Sequence, residues 1–126
     1  VMSRLWRRHR NDRGGVPPGL PADRSVSFYF DRAIEFAPDD GIVRMLYGMH
    51  LYSVGKSNDA LREYEYALKL APDSPEVHYN AGLYFLATGA HDTAVVHARI
   101  AYKSGYPLPG LKRKLIKIGA WDEQTE

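Results

Sequence analysis

The stretch "RMLYGMHLYSVGKSNDALREYEYALKLAPDS", residues 44–74, decides the fold, because its small residues return at a fixed distance along the chain. A shift of 34 positions carries Val43, Gly48, Gly55, Ala60, Ala67 and Lys69 onto Val77, Gly82, Gly89, Ala94, Ala101 and Lys103. Most of these are glycines and alanines, whose small size has steric consequences where elements pack closely. The same shift runs backward, since Ala33, Ala37, Pro38 and Asp39 return as Ala67, Ala71, Pro72 and Asp73. "AIEFAPDD" and "ALKLAPDS" are therefore one element seen twice, and the repeated unit covers most of residues 25–108. A period of this length marks a stack of repeats, each burying its apolar face on its neighbours.

Within each unit the apolar spacing is helical. Ala60, Leu61, Tyr64, Ala67 and Leu68 fall on one helix face, and Ala94, Val95, Ala98, Ala101 and Tyr102 repeat it. Another helix is expected ahead of each, over residues 41–53 and 75–87, closed by Gly55 and Gly89 just past the helix ends. Pro75 suits a first helical turn, where its missing N–H costs nothing. Asp39, Asp40 and Asp73 read as caps and as favourable partners for the helix dipole. Gly48 lies inside a helix, where it costs about 1 kcal/mol relative to alanine. Its return as Gly82 predicts a place where helices approach closely.

A helical hairpin of this period carrying W-x2-L-G-x2-Y, then A-x3-F, then P resembles the tetratricopeptide repeat (TPR). Tyr47, Gly48 and Leu51 occupy the first set of slots in one unit, Ala60 and Tyr64 the second, and Pro72 the closing proline. Ala81, Gly82, Phe85, Ala94 and Ala98 follow in the next unit. The departures are Arg44 and His78 in the tryptophan slot, Ala98 in the large aromatic slot, and a proline one residue late at Pro107. The resemblance implies an all-α fold of antiparallel helix pairs stacked as a short right-handed superhelix. Its expected parts are a basic, Gly/Pro-rich segment 1–24, a partial repeat 25–40, full repeats 41–74 and 75–108, and a capping helix and tail 109–126. In that cap Leu111, Leu115 and Ile118 form an apolar stripe backed by Lys112, Arg113, Lys114 and Lys117. The first helix of the partial repeat would fall on Gly14 and Pro17, which break helices, so a short displaced helix over residues 2–12 is expected to stand in for it.

The chain has 126 residues and no cysteine, one domain's worth with neither disulfides nor thiolate ligands. The formal charge of +2 hides an asymmetry: residues 1–24 hold six arginines against Asp12 and Asp23, while the remainder is mildly acidic. Arg4, Arg7, Arg8, Arg10 and Arg13 beside Trp6 resemble the cytoplasmic flank of a transmembrane helix, and the chain starts at Val1 rather than methionine. A membrane tether upstream is one expectation and a solvated basic tail is the other. Nucleic acid is not expected, because no basic stripe continues into the nearest helix. The location expected is cytoplasmic, or the cytoplasmic face of a membrane.

Catalytic arrangements are not found: no H-E-x-x-H, phosphate loop, dinucleotide glycine pattern or nucleophile elbow occurs. "GGVPPG" has glycines without the strand and helix a phosphate site needs, so it reads as a linker. His78, His91 and His97 are not spaced for one helical face, so no metal site is expected, nor any cofactor. The expected function is that of a non-catalytic interaction module. The alternative is the accessory domain of a membrane enzyme or transport complex whose catalytic part lies elsewhere.

In tetratricopeptide stacks the first helices line a concave wall where partner peptides bind. The resemblance carries that role to Ile42, Met45, Met49 and Tyr52, then to Glu76, Tyr79, Asn80, Leu83 and Leu86, with Arg113 and Lys114 from the cap. Methionine adapts its shape and tyrosine offers rigid area with a polar tip, which suits a binding surface. The competing expectation is that the missing first helix, or a second copy of the chain, covers them. One branch of the family clamps a terminal carboxylate with lysines and asparagines. Asn80 and Lys114 match two of those positions, but Met45, Met49 and Gly110 stand at others, so that activity is not expected.

Overall fold

The computed structural model describes residues 22–123, and they form six helices with no strand. These are α1 (Ala22–Phe36), α2 (Gly41–Ser53), α3 (Ser57–Leu70), α4 (Pro75–Ala87), α5 (His91–Lys103) and α6 (Gly110–Lys117). The arginine cluster, the linker and the short displaced helix expected before residue 22 lie outside the described residues. Among those described, no helix is long and apolar enough to cross a membrane.

Helices α2 and α3 form one antiparallel hairpin and α4 and α5 the next, with α4 touching both helices of the first hairpin. This is a helical solenoid. Asp40 caps α2, its carboxylate accepting from the Ile42 and Val43 amides at 2.9 and 3.3 Å. The cap of α4 is Ser74, whose hydroxyl accepts from the Val77 amide at 3.2 Å, so the capping role expected of Asp73 belongs to its neighbour. Each hairpin turns on a left-handed glycine, Gly55 at φ +84 and Gly89 at φ +89. There the Lys56 and Ala90 amides bond back to the Leu51 and Phe85 carbonyls at 2.8 Å, closing the helix ends.

Two apolar clusters hold the stack. The first gathers Met45, Leu51, Ala60, Tyr64, Ala67, Val77, Ala81 and Tyr84, and the second Tyr79, Ala94, Val95, Ala98, Ala101, Leu111 and Leu115. Phe85 packs on both and ties them together. The alanines of α3 and α5 in these clusters are wholly buried, which is how the two helices of a hairpin come close. At one end α1 lies on α2, with Phe30 stacked on Tyr47 at 5.0 Å. At the other, α6 sets Leu111 and Leu115 into the second cluster, whereas Ile118 is about half exposed, because α6 ends at Lys117 and Ile118 only caps it.

The glycine repeated within the hairpins marks two different contacts. A Cβ on Gly48 would stand 3.0 Å from the Tyr64 ring, so this glycine lets an aromatic side chain come close against α2. The residue equivalent to Tyr64 in the second hairpin is Ala98, and there the space is taken from outside: a Cβ on Gly82 would meet the tip of Leu111 at 2.6 Å. The capping helix thus supplies the volume that the second repeat lacks. Replacing Gly48 with leucine is expected to lower stability by about 1–3 kcal/mol through overpacking against Tyr64, although the substitution favours the helix. Thermal unfolding unchanged from wild type would contradict this.

Candidate functional site

A groove of about 300 Å³ opens between the two hairpins and the cap, lined by Met49, Tyr52, Tyr64, Asn80, Leu83, Tyr84, Ala87 and Lys114. Helix α2 supplies Met49 and Tyr52, one turn apart on its outer side, and both are about two-fifths exposed. Helix α4 supplies Leu83, the repeat equivalent of Met49, and the amide of Asn80, which donates to the Glu76 carbonyl at 3.0 Å. The floor is aromatic. Tyr84 stacks on Tyr64 at 4.7 Å and meets Tyr52 edge-on at 5.6 Å, while its hydroxyl donates to the Ser57 carbonyl at 3.0 Å. Burial first, and the neighbouring Tyr84 second, raise the Tyr64 pKa well above that of an ordinary tyrosine, so the Tyr64 hydroxyl keeps its proton.

Five residues expected at a binding surface come together here: Met49, Tyr52, Asn80, Leu83 and Lys114. Six others do not: Ile42, Glu76 and Arg113 lie outside the lining, and so do Met45, Tyr79 and Leu86. Met45 is 1% exposed and sits in the first apolar cluster, so it is a core residue, and the expectation that it lines the groove is corrected. Tyr79, its equivalent one repeat later, is 7% exposed. Tyr106 covers it at a ring separation of 4.5 Å, and Gly110 lies so close that a Cβ there would stand 2.8 Å from the Tyr79 hydroxyl. Leu86 is partly buried against the second cluster. The border between core and surface on these helices falls between Met45 and Met49, a single turn of helix. Tyr64, Tyr84 and Ala87 line the groove without having been expected there. Their signal in the sequence is weak, because the first two belong equally to the core.

One end of the groove is basic. Lys114 lines it, Arg113 and Lys117 are exposed on the same short helix, and α6 itself carries no acid. Lys112 is held apart from these, paired with Glu123 at 3.4 Å and lying over the Tyr102 and Trp121 rings.

The two tryptophan slots of the repeat hold polar pairs. Arg44 on α2 bonds Glu63 on α3 at 3.1 Å and lies over the Tyr66 ring at 4.5 Å. In the second hairpin His78 on α4 meets His97 on α5, Nδ1 to Nδ1 at 2.9 Å. Among the described residues no three His, Asp or Glu side chains converge as metal ligands would.

Helical hairpins of 34-residue period, turned on left-handed glycines and stacked through buried alanines, agree with a family model described as "TPR repeat" that matches residues 48–89. The match spans one third of the chain and supports its assignment to the tetratricopeptide-repeat family. The match runs from the middle of α2 through α3 and α4 to the turn that follows, so it includes most of the groove-forming residues. No curated protein matches the chain. Tetratricopeptide repeats generally mediate protein–protein interaction, and proteins built from them are typically non-catalytic scaffolds.

Proposed function

We propose that this tetratricopeptide domain is a non-catalytic docking module that holds a segment of a partner protein in the groove between α2, α4 and α6. The observation that carries the reading is the exposure of Met49 and Tyr52 beside Leu83, over a floor of stacked tyrosines. An adaptable thioether, an aliphatic side chain and an aromatic edge present a pocket for an apolar side chain. The size of the groove admits one or two side chains of a segment rather than a whole folded domain. Binding residues drawn from two repeats and the cap would also make recognition depend on the stack being intact.

A displayed library of random peptides, selected on the full chain, tests the proposal. Peptides that bind the wild-type protein are expected to lose at least tenfold in affinity for Met49→Glu. They should be unaffected by Val96→Glu, a substitution at a half-exposed site on α5 remote from the lining. Equal retention by both variants would contradict the groove as the binding site.

A further inference from the structure

The Arg44–Glu63 and His78–His97 pairs occupy the same two positions, 34 residues apart. Each ties the first helix of a hairpin to the second, but only one of them changes its charge near neutral pH. We propose that His78 and His97 form a proton-operated clasp. It holds the α4–α5 hairpin closed while it carries no more than one proton beyond the neutral state, and it loosens on the second. The Arg44–Glu63 clasp of the first hairpin stays shut over the same range.

The hydrogen bonds fix where the protons are. His78 Nε2 lies 2.6 Å from the Pro72 carbonyl oxygen, which can only accept, so this nitrogen carries hydrogen. In the neutral ring Nδ1 of His78 is then an acceptor, and the Nδ1–H of His97 donates to it across 2.9 Å. Both tautomers are set by this chain of bonds. A first added proton, on either ring, still leaves a single N–H between the two Nδ1 atoms, so the chain of bonds stays intact. A second charges both rings and points two N–H groups at each other across 2.9 Å, and the contact must open.

The surroundings offer little compensation. His78 is 6% exposed, and Phe85 stacks over the His97 ring at 5.5 Å. Among the described residues neither ring bonds a carboxylate or a cation. The charged groups of the elements packed around the pair are Arg44 on α2, Asp59, Arg62, Glu63, Glu65 and Lys69 on α3, Asp73 in the turn, Glu76 on α4, Asp92, Arg99 and Lys103 on α5, and Lys112, Arg113, Lys114 and Lys117 on α6, and no hydrogen bond or ion pair joins any of them to either ring. Burial, with His78 as the second cause, lowers the His97 pKa below the ordinary 6.5. A histidine whose pKa falls on folding contributes stability that is complete above the unfolded value. That contribution is lost as pH drops through 6.5 toward the folded value, about tenfold in the folded-to-unfolded ratio per unit of separation. Because α4 also presents Asn80, Leu83, Tyr84 and Ala87, a loosened hairpin would disturb the groove as well.

Urea unfolding at pH 7.5 and pH 5.0 tests the clasp without reference to any partner. In the wild-type chain the folded-to-unfolded ratio is expected to fall at least tenfold between the two. In the double variant His78→Arg/His97→Glu, which copies the first hairpin's ion pair, the fall should shrink by most of that factor. His50, His91 and Asp31 are common to both proteins, so their contributions cancel. Should the double variant not fold, His97→Phe keeps a ring against Phe85 and removes one member of the pair, and a similar flattening is expected. An equal fall in variant and wild type, or no fall in the wild type, would overturn the proposal.

Discussion

Met45→Ala is expected to cost about 2–5 kcal/mol of stability, the usual range for emptying a buried methionine site. Met49→Ala should cost well under 1 kcal/mol, since about two-fifths of that side chain is already in water. The two methionines are one helical turn apart and look alike in the sequence, so the contrast tests where the core ends. Met45 is 1% exposed and belongs to the cluster that includes Tyr64, Val77 and Tyr84, where the first hairpin meets the second. A domain of this size has a total stability of only about 5–15 kcal/mol. Its midpoint temperature should therefore fall by roughly 10 °C or more on losing Met45. The effect on a groove-binding peptide should be the reverse, with Met49→Ala weakening binding and Met45→Ala sparing it at temperatures where the chain stays folded. Equal destabilisation by both substitutions would contradict the assignment.

Leu111→Ala should have an effect of similar size, about 2–5 kcal/mol, because its side chain is wholly buried and fills the space beside Gly82. That space has a history in the repeat itself. In the first hairpin Tyr64 lies against Gly48, and in the second Ala98 stands at the aromatic position, leaving room that the cap helix occupies. A compensating change can therefore be specified. Ala98→Phe alone should clash with Leu111 and destabilise, whereas Ala98→Phe in the Leu111→Ala background should restore part of the lost stability. A coupling energy in the double-mutant cycle of about 1 kcal/mol or more is expected for residues that share a site. Additive losses would show that Leu111 and the aromatic position are independent.

Much of the fold was legible in the sequence, and for a physical reason. The close approach of helices admits only small residues, so Ala60, Ala67, Ala94 and Ala101 repeat at their fixed period, and the left-handed turns demand Gly55 and Gly89. Helices α2 and α4 begin and end where those signals place them. The groove was less legible. Met45 and Met49 differ by about 40° around their helix, and whether such a difference crosses from core to surface depends on how far the neighbouring helix reaches. Tyr79 was hidden from a reading of its own helix, because what covers it is Tyr106, 27 positions along the chain. The His78–His97 contact was missed for a similar cause. Spacing along one helix does not show it, because these two rings meet across a hairpin at positions that Arg44 and Glu63 occupy one repeat earlier. Offsets that align one pair with another are a signal the sequence does contain.

The most direct measurement is the mapping of amide chemical shifts on the labelled chain as a selected peptide is added. The groove predicts perturbations at Met49, Tyr52, Asn80, Leu83, Ala87 and Lys114, and little change at Arg62, Glu65, Tyr66 and Lys69, which line a separate hollow on α3. Shifts centred on that α3 hollow, or a peptide that binds without perturbing α2 and α4, would contradict the account.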